Sequence, residues 1–137
     1  APQALHPLGL CAEMSAHGDR GAMGERAARA YLEAKGLRFV GANLRVGRDE
    51  VDLLMREGET LVFVEVKLRK DRDDAPFAVD AAKQRRISRA AVVYLAEHGL
   101  LGRPARFDVV SVGFDGARLD VRHIENAFPL ARGRYFV

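Results

Sequence analysis

Two neighbouring segments constrain this chain more than any other feature. Glu50 to Arg56 and Thr60 to Arg69 each read as a strand, and Glu57-Gly58-Glu59 lies between them as a turn signal. A two-residue loop at Gly58-Glu59, with glycine first as a type II′ turn prefers, pairs Glu57 with Thr60. The register then follows: Leu54 opposes Phe63, Asp52 opposes Glu65, and Glu50 opposes Lys67. Opposed residues share a face, so Glu50, Asp52, Glu65 and Lys67 gather at one end of the hairpin. Leu54, Phe63 and Leu61 continue that face towards the turn. The other face reads Val51, Leu53 and Met55 against Val62, Val64 and Val66. A hairpin that is apolar on both faces needs a cover on each.

The chain supplies two covers. Helical character begins near Gly21, and Glu25 to Lys35 is rich in good helix formers. Ala28, Tyr31, Leu32 and Lys35 recur at helical spacing, with Gly36 as a stop. A second helix over Val79 to His98 carries Val79, Lys83, Ile87, Ala91 and Tyr94, with Gly99 as its stop. Leu37 to Val46 reads as a strand with an irregularity near Gly41, and Arg106 to Gly113 and Leu119 to Ile124 read as two more. The order α-β-β-β-α-β-β predicts an α/β fold, a mixed central sheet flanked by helices. A length of 137 residues with 48% hydrophobic content suits one core. Residues 1–20 read as a flexible leader, 21–128 as the domain and 129–137 as a C-terminal tail.

Composition narrows the setting. Cys11 is the single cysteine, so neither an internal disulfide nor a cysteine zinc site forms. No apolar run approaches the ~18 residues of a membrane span, and the opening stretch lacks the basic start of a signal peptide. The cytoplasm is the expected location, with no membrane partner. The formal net charge of +3 is compatible with nucleic acid and equally with a solvated basic surface.

The hairpin end carries the chemistry. Asp52 and Glu65 would have Cβ atoms roughly 5 Å apart. Carboxylates that close repel unless a proton or a cation lies between them. Mg²⁺ suits such a pair, because it takes one or two carboxylates and keeps several waters. Taken singly, each charged residue here reads as a solvated ion pair; together, beside valine-rich strands, they read as a site. On the second helix, Lys83 and Gln84 lie on or beside the inward face and would reach that site. Arg85, Arg86 and Arg89 point more outward, towards a nucleic-acid backbone or simply towards solvent. The histidines have no metal-ligand spacing, and Asp108 reads as the structural partner of a basic group.

An acid, a turn, then Glu65-Val66-Lys67 resembles the PD-(D/E)XK nuclease superfamily. Gly24-Glu25, Asn43-Leu44-Arg45, Glu50-Val51-Asp52-Leu53-Leu54, Lys83-Gln84-Arg85-Arg86, Arg106-Phe107-Asp108-Val109 and Glu125-Asn126-Ala127-Phe128 extend the likeness. As a set they resemble the bacterial YraN family, similar in fold to archaeal Holliday junction resolvases. Asp49 stands where that family usually has glycine, and Leu68 where it usually has threonine.

The resemblance implies a restriction-endonuclease-like fold and a Mg²⁺- or Mn²⁺-dependent endonuclease acting on phosphodiester bonds, of DNA rather than RNA and of branched form. It implies Asp52, Glu65 and the Val66 carbonyl as metal ligands, and Lys67 as the group that orients water or stabilises phosphate charge. Glu25 would complete the site as a helix acid, catalytic and metal-ligating, unless it serves only the helix dipole. Glu50 would stand behind the ligands, with Lys83 and Gln84, or would simply pair with Lys67. Lys83, Arg85, Arg86 and Arg89 would bind nucleic acid. The resolvases also imply a homodimer. The alternative is a nucleic-acid-binding module on the same fold without turnover.

Overall fold

A computed structural model describes residues 16–69, 79–115 and 118–130. The expected leader and tail fall largely outside these residues, although 16–20 belong to the first helix. The element order is α1 (Ala16–Ala34), β1 (Arg38–Val46), β2 (Asp49–Glu57), β3 (Thr60–Arg69), α2 (Ala81–Glu97), β4 (Ala105–Asp115) and β5 (Arg118–Ile124). This is the predicted order, and helix α1 begins earlier than the first apolar repeat indicates. Both glycine stops hold, with Gly36 at φ 102° and Gly99 at φ 66°, conformations that glycine adopts without a Cβ penalty. Helix α2 opens on Asp80, whose side chain accepts the Lys83 N–H at 2.7 Å.

The five strands lie in the order β1-β2-β3-β4-β5. All neighbours are antiparallel except β3 and β4, which run parallel because α2 forms the crossover between them. The β2–β3 hairpin has the register read from its turn, with Glu57 opposite Thr60 and Leu54 opposite Phe63. Gly58 takes a φ of 59° while Glu59 is not among the residues with positive φ, as a type II′ turn requires.

Each sheet face has its own helix and its own core. Ala27, Ala28 and Leu32 of α1 cluster with Leu53, Met55, Val62, Val64, Val110 and Val112 of the sheet. Ile87, Ala90, Ala91 and Leu95 of α2 cluster with Val51, Leu54, Phe63, Phe107, Val109 and Phe128. The central strands therefore bury both faces, which is why they read as near-continuous apolar runs. Phe128 stacks on Phe107 at 5.0 Å and closes the α2 side.

A polar knot ties α1, β4 and β5 together. The fully buried carboxylate of Asp108 accepts bonds from Arg106 Nε at 3.0 Å, His123 Nε2 at 2.8 Å and the Asn126 N–H at 2.9 Å. Lys35 Nζ lies 2.9 Å from His123 Nδ1. Lysine can only donate, so the ring proton is on Nε2 and points at Asp108. His123 is thus a buried structural residue, not the incidental one its spacing indicates, and Asp108 is the structural partner expected. Burial alone would raise the Asp108 carboxyl, but these bonds hold it below its ordinary value. We expect Asp108→Ala to cost about 3–5 kcal/mol in urea denaturation, because it strands buried donors. Glu33→Ala, which removes only the exposed 3.3 Å pair with Arg29, should change stability by less than about 0.5 kcal/mol.

Candidate active site

The β2–β3 ladder ends at Leu53 opposite Val64, one step short of Asp52 and Glu65. Beyond it, the Val66 N–H donates to Asp52 Oδ2 at 2.8 Å, so a side chain replaces the backbone acceptor where the strands part. A strand residue's N–H and C=O point to the same side, so the Val66 carbonyl faces the same gap. Glu50 is therefore not opposed to Lys67 in the sheet; its strand partner is Arg45 of β1.

The parting coincides with a change of face. Leu53 and Ala42 pack on the α1 side, whereas Val51, Leu44 and Val46 pack on the α2 side. Residues two apart in a regular strand share a face. Both strands roll over between those positions, at Asn43 and at Asp52, and Asn43 has φ 52°. The expected grouping of Val51 with Leu53 and Met55 fails for this reason. On β3 the alternation is regular, so Glu65 and Lys67 follow Leu61 and Phe63 on the α2 side.

Asp52 and Glu65 do converge, each close enough to act on the other's carboxyl group. Burial, joined by the Asp52 charge, pushes the Glu65 carboxyl up to about 7. Burial also raises Asp52, against the pull of the Val66 N–H. A proton held on Glu65 lowers the repulsion between the two. Lys83 of α2 adds a positive charge, its Nζ 3.5 Å from Glu65 Oε2.

Glu25 reaches the same neighbourhood from α1. Gly24 faces β3, where an added methyl would displace the end of the Leu68 side chain. Asn43 Nδ2 donates to Glu25 Oε1 at 3.0 Å. Burial raises the Glu25 carboxyl, and the charges of Asp52 and Glu50 raise it further.

The remaining residues divide. Gln84 turns away, its Nε2 donating to the Val79 carbonyl at 2.8 Å. Arg89 does not extend into solvent. Its guanidinium grips the buried Asp49 carboxylate at 2.7 and 2.8 Å, tying β2 to α2 and holding that carboxyl below its ordinary value. Arg85 and Arg86 are exposed, and Arg48 and Arg86 both lie close enough to act on Asp49. The sequence carries no signal for Arg48 or for the Asp49–Arg89 clamp, and Asn43 appears in it only within the Asn43-Leu44-Arg45 stretch, beside the irregularity near Gly41.

Among the described residues, no three acids, histidines or cysteines come together as a metal cluster. The donor set at the hairpin end is two carboxylates, Asp52 and Glu65, beside the Val66 carbonyl. That set fits Mg²⁺ or Mn²⁺ held by few protein ligands, with water completing the shell.

The raised Glu65 carboxyl has a thermodynamic consequence. Its folded value lies above the ordinary 4.5, so the folded state keeps a proton that the unfolded chain releases. The resulting stability is complete below about pH 4.5 and is lost as pH rises through about 7. The limit is about 3 kcal/mol. Melting curves in chelator should show this decline in the wild type and not in Glu65→Gln. Asp52→Asn should melt higher than the wild type at pH 8 in chelator, since an amide oxygen still accepts the Val66 N–H without the repulsion.

The model of the Uncharacterised protein family UPF0102 matches residues 24–112. A UPF0102 protein of Symbiobacterium thermophilum is 49% identical over 112 residues, covering 79% of this chain and 94% of that protein. One from Geobacter metallireducens is 43% identical over 113 residues, covering 81% and 93%. One from Chromohalobacter salexigens is 48% identical over 111 residues, covering 80% and 89%. Among solved structures, SfsA of Pyrococcus furiosus in complex with Ca²⁺ aligns at a TM-score of 0.38 and 15% identity, over 77% of this chain and 61% of that one. A score that low leaves the fold resting on the topology described above. With the matched segment running from Gly24 through the hairpin acids to Val112, the chain belongs to family UPF0102.

Proposed function

We propose that this protein is a metal-dependent nuclease that hydrolyses phosphodiester bonds in DNA. The observation that carries this reading is the half-buried pair of converging carboxylates, Asp52 and Glu65, with Lys67 following on the same strand and face. Like charges are brought together in a low-dielectric place only at a cost, and a divalent cation relieves it. A bound Mg²⁺ or Mn²⁺ would supply an activated water and neutralise charge on phosphate. Asp52, Glu65 and the Val66 carbonyl would hold it. Lys67 would orient water or stabilise the charge that develops on the scissile phosphate. Arg48, Arg85 and Arg86 would receive the flanking backbone.

One observation favours a binding module without turnover. Lys83 already places a cation against Glu65, and that ammonium would neutralise the site without a metal. A cleavage assay separates the two readings, with branched, duplex and single-stranded DNA and the matching RNA, in Mg²⁺, in Mn²⁺ and in chelator. Metal-dependent cleavage that Asp52→Asn and Glu65→Gln abolish supports the nuclease. Binding without cleavage of any substrate supports the module.

Nucleic-acid affinity should fall steeply with salt, by about 0.9 in log K per log[salt] for each phosphate contacted on duplex DNA. Arg48→Ala and Arg86→Ala should each flatten that slope by about one contact. Arg89→Ala should instead lower folding stability, by roughly 3 kcal/mol, because it strands the buried Asp49 carboxylate.

A further inference from the structure

Asn43 belongs to a motif that the proposed chemistry does not use, yet its position is unusual. It occupies β1 between Ala42, which pairs with Leu53, and Leu44, which pairs with Val51, and so stands across from Asp52. At this point both strands change face and the Asp52 carboxylate leaves the ladder for the Val66 N–H. The backbone of Asn43 is left-handed at φ 52°, a conformation that asparagine tolerates better than most residues. Its side-chain amide spans from β1 to α1 and donates to Glu25 Oε1 at 3.0 Å. One residue thus joins the strand break that presents Asp52 to the helix acid beside it.

Glu25 does not join Asp52 and Glu65 in a cluster of three metal-binding groups. A carboxylate set back from the ligands has a different use, as an acceptor for the water that a hard cation retains. We propose that Asn43 is the positioning residue of this site, holding Glu25 one layer behind Asp52 and Glu65 where it accepts hydrogen bonds from water around a divalent cation. This rests on the metal-site reading above and adds to it a fixed role for Glu25. The amide matters because it is the hydrogen bond that ties the Glu25 carboxylate to β1.

The test is a double-mutant cycle on the full chain, read as Mn²⁺ affinity by calorimetry. Asn43→Gly keeps the backbone conformation, since glycine adopts positive φ freely, and removes only the amide. Glu25→Ala should weaken Mn²⁺ binding about tenfold, the scale of a lost outer-shell partner, and Asn43→Gly by a factor of about three to ten. The double variant should bind no more weakly than Glu25→Ala alone, because Asn43 acts through Glu25. A second measurement needs no metal: the Asn43 side-chain amide resonances should shift in Glu25→Ala. Wild-type affinity in Asn43→Gly, an equal loss in both backgrounds, or unmoved amide resonances would each overturn the assignment while the metal site stands. Absence of Mn²⁺ binding by the wild type would remove the metal site itself, and this role with it.

Discussion

The bond from the Val66 N–H to Asp52 Oδ2 organises this protein. Were the β2–β3 ladder to continue, the Val66 N–H would be bonded by backbone and Asp52 would be an ordinary strand residue. Because a carboxylate takes the acceptor role, the strands part and the Val66 carbonyl is left facing the gap. A buried backbone donor must be satisfied, and a charged acceptor does so strongly. The cost is a second acid nearby. Glu65 lies on the neighbouring strand, half-buried, and holds its proton up to about pH 7.

The rest of the fold keeps that arrangement in place. Helix α1 and helix α2 cover opposite faces, and each brings one charged group to the hairpin end, Glu25 from one side and Lys83 from the other. Their approach is fixed away from the acids. Gly24 of α1 lies against the Leu68 side chain of β3, and the Asp49–Arg89 pair fastens α2 to the start of β2. The buried Asp108–His123 knot anchors the far end of α1 in the same way.

Much of this was legible in the residues. Strand identity, turn type and hairpin register followed from alternation and one glycine, because a two-residue turn leaves no freedom in what pairs with what. The nearness of Asp52 and Glu65 was legible too, although the ladder itself stops one step short of them. So was the assignment of a helix to each face, since two apolar faces need two covers. Asp108 was read correctly as structural from the basic residues around it in sequence.

What stayed hidden depends on contacts between residues far apart in the chain. Alternation predicts that Val51 shares a face with Leu53, and only the tertiary structure shows the strands rolling over at Asn43 and Asp52. A roll of this kind is decided by how two helices press on a twisted sheet, and no local pattern records it. Arg89 looked like a solvent-facing cation until Asp49, forty positions away, was seen beneath it. His123 looked incidental for the same reason, its partners lying on α1 and β4. The sequence by itself determined the elements, the register and the acids, because those are set by spacing within a few residues. The tertiary structure decided which charges are spent on holding the fold and which are left to act, because burial and pairing are properties of the assembled surfaces.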